Sequence, residues 1–363
     1  MAARRGHGRA GAGGWLAGGA LAVLLAVLAA GCAVSDSAAA WQPSVDLTRL
    51  RGTIRLDGSS TVFPISEAYA EEFQIAARGS VRVTVGISGT GGGFKKFCHD
   101  ELDIADASRP ISQHEIAECR AQGIAFVELP IAFDGLSVVV SPRNTFVDCL
   151  TVSELRTMWQ SSAQGVITRW SQVRPGWPDR PFRLFGPGPD SGTFDYFTDA
   201  IMGREKDSRG DYTASEDDNV LVQGIANDPY ALGYFGYAYY VENQSRLRVV
   251  PIDAERGGGC VAPSPETITS GRYQPLARPL FLYAKVAALE RPEVREFLRF
   301  YLAPENSELI AQTGYVPLPA WAYEAAWQRL ERREVGTVFL GRAIEGVTLD
   351  DLFGRAPTLP AEP

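Results

Sequence analysis

Three short clusters of serine, threonine and glycine each stand directly before a predicted helix. Hydroxyl groups, free backbone N–H groups and the positive end of a helix dipole meet at such a position, and glycine lets the backbone approach a ligand closely. Any one cluster is also typical of an ordinary helix cap, but the three together predict a dry pocket for an oxyanion. The clusters are Gly-Ser-Ser-Thr at 58–61, Ser-Gly-Thr-Gly-Gly-Gly at 88–93 and Asp-Ser-Gly-Thr at 190–193.

The elements around the clusters alternate between strands and helices, which indicates an α/β fold with mainly parallel sheets. In such sheets ligands bind beyond the carboxyl ends of the strands, where helix N-termini meet. The clusters come from the front and the middle of the chain, so a shared ligand would lie between two domains that close around it. The predicted strands lie at 54–56, 81–85, 102–105, 126–130, 136–140, 182–185, 231–236 and 279–283, and the predicted helices at 63–73, 94–97, 112–121, 152–159, 194–202, 220–227, 292–302 and 304–313.

Motifs for other phosphate chemistry fail at these clusters. A Walker A loop needs lysine directly after glycine, but Phe94 separates the glycines from Lys95. A dinucleotide fingerprint needs a third glycine where Phe94 or Lys96 stands. The serine nucleophile elbow needs glycine where Thr90 stands.

The chain offers few groups for acid–base or metal chemistry. Only His99 and His114 lie beyond the N-terminal leader, and both stand beside charged residues on predicted polar helices. A serine hydrolase would need a histidine base, and no Cys-x-x-Cys pair indicates zinc. We therefore expect a binding protein with no cofactor and no catalytic activity.

The N-terminus has the pattern of a targeting segment. Three arginines among the first nine residues precede an apolar run at 15–30, and small residues stand directly before Cys32. This resembles a bacterial lipobox, although Leu28 stands four residues before the cysteine rather than the usual three. The run is short for a membrane span, and a plain signal peptide or a membrane anchor are the alternatives. We expect a lipoprotein signal peptide at 1–31, a lipidated Cys32 and a flexible tether at 32–47.

The protein is acidic, with a net charge of −8 over 363 residues. Loss of the leader removes three of the 35 basic residues and none of the 43 acidic ones, which lowers the net charge to −11. A nucleic-acid partner is therefore not expected, and an anion would have to be bound by local dipoles in a closed site. The exported chain of about 315 residues exceeds the usual size of one core and predicts two domains.

Four cysteines remain after export, and an even number in an oxidising compartment indicates disulfides. Three pairings are open from the sequence, and free buried thiols are the alternative. Closeness in the chain favours Cys98 with Cys119, which leaves Cys149 with Cys260.

Four longer motifs extend these clusters and add a fourth segment. They are Leu-Asp-Gly-Ser-Ser-Thr-Val-Phe-Pro at 56–64, Gly-Ile-Ser-Gly-Thr-Gly-Gly-Gly-Phe at 86–94, Asp-Ala-Ser-Arg-Pro-Ile at 106–111 and Asp-Ser-Gly-Thr-Phe-Asp-Tyr-Phe at 190–197. Together they resemble the phosphate-binding proteins of bacterial ABC importers, the PstS family. The resemblance runs from about residue 52 to 330 and implies a type II periplasmic-binding-protein fold, with two α/β lobes and two crossover strands. It also implies capture of inorganic phosphate and its delivery to a membrane permease by a monomer.

The resemblance divides the chain into one lobe of 48–135 with 276–340, a second lobe of 136–275 and an irregular tail at 341–363. It places the phosphate between the lobes, at hydroxyl and backbone N–H groups of all four motifs. The phosphate contacts it implies are Ser60, Thr61, Val62, Phe63, Ser88, Thr90, Ser108, Arg109, Asp190, Ser191, Gly192 and Thr193.

The chain departs from one branch of the family at two positions. That branch has aspartate where Arg109 stands and arginine where Pro187 stands, so the single cation is expected at Arg109, whose fork suits a bidentate phosphate contact. A carboxylate can accept the proton of monohydrogen phosphate, which sulfate lacks. Candidates for this acceptor are Asp190, ranked first for its place beside Ser191, and then Asp106 and Asp134.

Three other functions compete with phosphate transport. The same fold could serve sulfate, molybdate or tungstate, and the acceptor carboxylate would decide between these anions. A phosphate-ester hydrolase lacks its base, metal cluster and nucleophile elbow, and a surface adhesin would not need the hydroxyl set. We expect an exported protein held by its lipid at the cell envelope.

Overall fold

The computed structural model of the protein describes residues 41–189, 191–215, 217–340 and 347–359. The predicted signal peptide, the predicted lipidation site Cys32, most of the predicted tether and Asp190 lie outside these residues. Among the residues it does describe, none of the helices is both long and apolar enough to cross a bilayer.

Strands and helices alternate along the described chain in a two-lobed α/β arrangement. The first two strands extend the predicted ones by a few residues, the third lies two residues later than predicted, and each is followed by a helix, as the sequence predicts. The strands are β1 (Gly52–Gly58), β2 (Val81–Ile87), β3 (Ile104–Ala107), β4 (Phe126–Val140), β5 (Leu150–Thr151), β6 (Arg183–Gly186), β7 (Thr213–Ala214), β8 (Ala231–Gly236), β9 (Arg248–Val249), β10 (Ile252–Asp253), β11 (Cys260–Val261), β12 (Ala277–Lys285) and β13 (Val316–Pro317).

The helices bury one face against the sheets. In α1, Ile65, Tyr69 and Phe73 are fully buried at a spacing of four residues, and Pro64 stands in the first turn. The helices are α1 (Phe63–Ala76), α2 (Gly89–Cys98), α3 (Gln113–Ala121), α4 (Val152–Trp159), α5 (Trp170–Val173), α6 (Gly192–Met202), α7 (Asp218–Asn227), α8 (Tyr237–Glu242), α9 (Pro265–Thr269), α10 (Pro292–Tyr301), α11 (Glu308–Gln312), α12 (Ala320–Glu331) and α13 (Leu349–Phe353), with 3₁₀ turns at Leu47–Arg49, Ser161–Ala163, Val286–Glu290 and Pro304–Asn306.

The main sheet is mixed, with the strand order β2-β1-β3-β12-β4-β8-β6-β7. Its flanks are parallel: β1 pairs with β2 and β3 on one side, and β6 pairs with β7 and β8 on the other. The central strands β4 and β12 run antiparallel to each other and to their neighbours β8 and β3. Parallel pairing is thus a property of each flank, while the two central strands join the flanks.

β4 is one continuous strand of fifteen buried residues, so the prediction of two separate strands at 126–130 and 136–140 was wrong. The sequence suggested a break because Pro130 and Gly135 interrupt the apolar run. In the structure, the register between β4 and β12 shifts beside Pro130, and such an irregularity is where a sheet accommodates proline. β4 changes partners at Gly135, pairing with β12 up to this residue and with β8 from Leu136 onward.

Both favoured disulfides are present. Cys98–Cys119 joins the end of α2 to α3, and Cys149–Cys260 joins the start of β5 to β11 in a small second sheet of order β11-β10-β5. The first pair is fully buried. His99 and His114 are exposed, as predicted for surface residues.

The C-terminal part is more regular than the sequence predicts. The predicted helix at 304–313 is divided into a 3₁₀ turn and the short α11. The helices α12 and α13 were not predicted, and α13 lies within the tail that was expected to be irregular. Ala322, Ala326 and Leu330 form a buried stripe at four-residue spacing on α12, and alanine in this stripe weakened the apolar pattern.

Candidate anion-binding site

The carboxyl ends of β1, β2 and β3 lie side by side at one edge of the sheet. The N–H of Ser59 donates to the carbonyl of Asp106 (2.9 Å), and the N–H of Ser88 donates to the carbonyl of Gly58 (3.1 Å). Gly58 has φ +147°, and a side chain there would overlap the Asp106 carbonyl. These bonds bring the first two clusters and the loop after β3 together, as expected for adjacent parallel strands.

The hydroxyl groups of these loops are paired with protein groups. Thr90 Oγ1 and Ser108 Oγ lie 3.1 Å apart, and Thr90 Oγ1 also accepts the Ser108 N–H at 3.3 Å. Ser88 Oγ donates to Asp57 Oδ1 (2.5 Å), and the other Asp57 oxygen accepts the Lys96 ammonium at 2.6 Å. Thr90 in the first turn of α2 therefore contacts Ser108 in the loop after β3. The Ser88 hydroxyl is bound by the Asp57 carboxylate.

The third cluster opens α6 and lies directly against the first. Ser191 caps the helix by accepting the Thr193 N–H at 3.2 Å. Gly192 is so close to Thr61 that a methyl group on it would lie 2.5 Å from Thr61 Oγ1 and 2.8 Å from Thr61 N. The structure thus brings the first and third predicted clusters into contact.

A cavity of about 310 Å³ lies at this contact. Four of the predicted site residues line it, namely Ser60, Ser191, Gly192 and Thr193. Thr61 and Val62 are buried beside it and Phe63 is partly buried at the start of α1. The other lining residues are Pro64, Ile87, Asp134, Asp218, Gly236, Tyr239, Thr313, Gly314 and Tyr315.

Arg109, which the sequence predicts as the single cation, is paired with Glu115 in the first turn of α3. Its Nη1 and Nη2 donate to the two carboxylate oxygens of Glu115 (2.9 and 2.8 Å), and Nη1 also donates to the Pro110 carbonyl (3.1 Å). The guanidinium lies 5.6 Å from the ring centre of Phe94. Burial raises the pKa of the Glu115 carboxyl, but the bonds from Arg109 and Ser112 outweigh it and hold this pKa below its usual value.

A second arginine, Arg278 on β12, lies behind the cavity and was missed in the sequence. It is 7% exposed, its Nη2 donates to Thr61 Oγ1 (3.2 Å), and its guanidinium stacks 3.7 Å from the ring centre of Tyr196 on α6. Its Nε lies 3.6 Å from Oδ2 of its cross-strand neighbour Asp134. Among the described residues, neither of these two atoms has a hydrogen-bond partner. A buried cation left incompletely paired is well placed to meet an anion.

The sequence did contain one signal for Arg278. Charged residues are rarely buried without a partner, and this arginine stands at the start of an apolar stretch that was predicted to be a strand at 279–283. Its partner Asp134 stands in the equally apolar stretch between 126 and 140. A charge of each sign in two buried strands is a pattern that predicts a cross-strand pair.

Of the candidate acceptor carboxyls, Asp106 and Asp134 lie in different places. Asp134 lines the cavity, and burial raises its pKa to about 6 although Arg278 acts to lower it. Asp106 lies beside Ser66 of α1 and Tyr301 of α10, where burial raises its pKa to about 7 and Ser66 lowers it only in part. Asp134 is therefore the candidate that the structure places at the cavity, while Asp190 lies outside the described residues.

Glu205, which follows α6, lies within the electric field of both arginines. Burial raises the pKa of its carboxyl, as do Asp195 and Asp199, while Arg278 and Arg109 lower it in part. Both arginines thus act on one carboxylate that comes from the opposite lobe. Arg278 is thus a second cation near the site, where the sequence analysis expected only Arg109, and neither arginine lines the cavity itself.

Comparison with known proteins assigns the chain to a family. A family model described as a PBP superfamily domain matches residues 44–305. Protein SphX of Synechococcus elongatus is 47% identical over 311 residues, which cover 86% of this chain and 91% of that protein. The phosphate-binding protein PstS of Staphylococcus saprophyticus is 34% identical over 291 residues, which cover 79% of this chain and 87% of that protein. The chain belongs to the PstS family.

Two solved structures, one with high and one with low sequence identity to this chain, have a similar fold. The crystal structure of a possible phosphate binding protein from Planctomyces limnophilus is 51% identical, has a TM-score of 0.73, and covers 78% of this chain and 99% of that chain. An ABC-type phosphate transport receptor from Vibrio cholerae, 23% identical with a TM-score of 0.58, covers 73% of this chain and 100% of that chain and shows the fold alone. The family model ends at residue 305, so α11, α12 and α13 lie beyond it.

Asp106 gives this member of the PstS family a stability that depends on pH. The folded-state pKa of this carboxyl, about 7, lies above the ordinary 3.8, so the folded state binds the proton more tightly than the unfolded state. The bound proton therefore contributes to the free energy of unfolding at low pH, and this contribution is lost as the pH rises through 7. We expect Asp106→Asn to remove that loss, which amounts to about 3 kcal/mol between about pH 5 and about pH 8. Urea unfolding of both proteins at the two pH values measures it, and parallel pH profiles would contradict the prediction.

Proposed function

We propose that this protein captures inorganic phosphate in the cleft between its lobes and delivers it to the membrane permease of an ABC importer. One observation carries the proposal: Thr61 of the first cluster contacts both Gly192 of the third cluster and the buried Arg278, beside the cavity. Helix N-termini and guanidinium groups are the donors that bind phosphate in proteins. Relatives named phosphate-binding protein PstS support phosphate as the anion. Family membership makes the protein a transport binding protein and not an enzyme.

The proposed contacts come from both sides of the cleft. Backbone N–H and hydroxyl groups at the starts of α1, α2 and α6 surround the anion, and Ser88 supports them by fixing Asp57. From one lobe the contacts are Ser60, Thr61, Val62, Phe63, Thr90, Ser108 and Arg109, and from the other Ser191, Gly192 and Thr193.

Two arginines share the charge of the anion in this proposal. Two bonds to Glu115 offset much of the Arg109 charge, whereas Asp134 offsets the Arg278 charge less well because no hydrogen bond joins them. Charge that is buried and incompletely offset interacts most strongly with an incoming anion. Arg278 therefore contributes more than Arg109 to the binding free energy.

Asp134 is the proposed acceptor for the proton of monohydrogen phosphate. It lines the cavity together with Ser191 and Thr193, and its carboxyl has an oxygen without a hydrogen-bond partner among the described residues. Sulfate has no proton to donate at neutral pH, so it would leave this carboxylate unpaired beside a dianion. The carboxylate would thereby exclude sulfate.

Calorimetric titration of the processed protein, stripped of bound anion, tests the proposed function. We expect tight one-to-one binding of phosphate at neutral pH that an excess of sulfate does not displace. The absence of heat with phosphate, or an equal response to sulfate, would refute the assignment.

The acceptor assignment predicts that Asp134→Asn changes selectivity. The variant should bind phosphate about tenfold more weakly, because a charge-assisted hydrogen bond is lost, and it should bind sulfate more tightly because the repelling charge is gone. Asp190→Asn is the matched variant, since Asp190 is the other candidate. A selectivity change in Asp190→Asn, with none in Asp134→Asn, would give the role to Asp190.

The place of the protein in the cell is proposed from its sequence and its relatives. We propose a monomer that is lipidated at Cys32, anchored by this lipid at the cell envelope, in the periplasm or at the outer face of the membrane, and docked to its permease when phosphate is bound. Cys32→Ser should release the protein from the membrane fraction in a phase-partition assay. Equal membrane binding by this variant would rule out lipidation at Cys32.

A further inference from the structure

A buried carboxylate joins the central strands to the C-terminal part of the chain. Glu128 on β4 is fully buried, and its oxygens accept the Tyr283 hydroxyl (2.7 Å), the Thr337 hydroxyl (2.5 Å) and the Val338 N–H (3.1 Å). None of these four residues lines the cavity. Three donors on one buried carboxylate fix the position of each donor.

The Tyr283 hydroxyl also reaches the loop that carries Arg109. It accepts the N–H of Ile111 at 2.9 Å, two residues after Arg109. The Tyr283 ring packs edge-on against Phe94 of α2 at 4.8 Å, and the Arg109 guanidinium lies over the same Phe94 ring. Tyr283 therefore supports the Arg109 loop through a hydrogen bond and the middle of α2 through ring packing.

The segment that completes this arrangement lies beyond the part of the chain matched by the family model. Thr337 donates to Glu128, and the neighbouring Gly336 N–H donates to the Phe126 carbonyl at 3.1 Å. Arg329 is 4% exposed and donates to the Leu352 carbonyl at 2.7 Å, which ties α12 to α13. The C-terminal segment thus packs against β4 in the lobe that contains the Arg109 loop.

We propose that Tyr283 is a positioning residue of the anion site, held in place by Glu128 and by Thr337 of the C-terminal segment. Without the Tyr283 hydroxyl, the Ile111 N–H loses its acceptor, and a buried donor without a partner costs enough free energy to shift the loop. The loop would then present Ser108 and Arg109 to the anion less accurately. This inference rests on the proposed binding of phosphate.

Tyr283→Phe tests the inference, because it removes one oxygen and keeps the ring. We expect the phosphate Kd to rise about fivefold, the value of one ordinary hydrogen bond. Tyr323→Phe is the matched control: its hydroxyl is also buried in this lobe, donating to the Ile131 carbonyl (2.9 Å) and accepting the Leu318 N–H (3.0 Å), but it touches no anion loop. The control should lose similar stability and keep the wild-type Kd.

A double-mutant cycle separates positioning from general destabilisation. In an Arg109→Gln background, Tyr283→Phe should raise Kd by a clearly smaller factor than it does in the wild type, because only Ser108 of the two contacts on this loop is left to be misplaced. Thr337→Val should raise Kd in the same direction by a smaller factor, and it decides the question alone if Tyr283→Phe does not fold. An unchanged Kd in the folded variants, or a full effect of Tyr283→Phe without Arg109, would overturn the inference. Failure of the wild-type protein to bind phosphate would instead refute the proposed function.

Discussion

Replacing Arg278 with glutamine is expected to weaken phosphate binding about 100-fold. A hydrogen bond to a charged group contributes about 1.5–3 kcal/mol, and the Arg278 guanidinium is buried where water screens it little. Glutamine keeps a polar side chain but removes the charge and the Nη2 donor to Thr61. Calorimetric titration with phosphate at neutral pH measures the change in Kd.

The same substitution also leaves Asp134 buried without its cation. Breaking a buried ion pair from one side costs about 3–5 kcal/mol of stability, because the remaining charge has no partner. The double variant Arg278→Gln/Asp134→Asn removes both charges, so it should recover much of this stability and still bind phosphate poorly. Comparison of the single and double variants thus separates the effect of Arg278 on stability from its effect on phosphate binding.

Arg209 offers a matched control for a buried arginine. It is 3% exposed and donates to the Met158 and Ile167 carbonyls, away from the residues that line the cavity. Arg209→Gln should lower the melting temperature and leave the phosphate Kd near the wild-type value. If Arg209→Gln and Arg278→Gln weaken binding equally, the effect is one of stability and Arg278 is not an anion contact.

The parts of the site that the sequence predicted are those that local structure determines. A Ser/Thr/Gly cluster between a strand and a helix has its place set by a few neighbouring residues, so the clusters at 58–61 and 88–93 were found directly. The adjacency of these two follows from the parallel pairing of β1 and β2. Contact between Thr61 and Gly192 depends on how the lobes meet, and the sequence could only suggest it.

Arg278 was missed because its role comes from register between distant strands. Arg278 and Asp134 become neighbours only because β4 and β12 pair antiparallel in one specific register. The sequence analysis broke β4 at Pro130 and Gly135, and this break hid the strand on which Asp134 stands. Arg109 was easier to find because it follows a recognisable motif.

For Arg109, the sequence analysis did not consider which neighbouring residue would pair with the guanidinium. Ser112, where the predicted helix at 112–121 begins, caps α3 in the structure, and Glu115, three residues later, completes a capping box with it. The structure shows that the same carboxylate also binds the Arg109 guanidinium. A motif identifies which residue is present, but only the fold shows which partner already occupies it.

Gly192→Ala is expected to weaken phosphate binding by about 10- to 100-fold while leaving the unliganded protein as stable as before. The added methyl group would lie 2.5 Å from Thr61 Oγ1 and 2.8 Å from Thr61 N, and the backbone atom cannot turn aside. Overpacking of this kind costs about 1–3 kcal/mol. The cost falls on the arrangement in which Thr61 meets α6, because alanine is a better helix former than glycine in α6 itself.

Gly236→Ala is the control, since Gly236 lines the same cavity but a methyl group there would have its nearest neighbour, the Gly314 carbonyl, at 3.9 Å. This variant should bind phosphate as the wild type does. Small-angle scattering with and without phosphate would show the cause: the wild type and Gly236→Ala should become more compact on binding, and Gly192→Ala should not. Tight binding and normal compaction in Gly192→Ala would mean that the phosphate-bound form keeps Thr61 and Gly192 apart. The anion would then have to lie between these two residues, with Arg278 reaching it past Thr61.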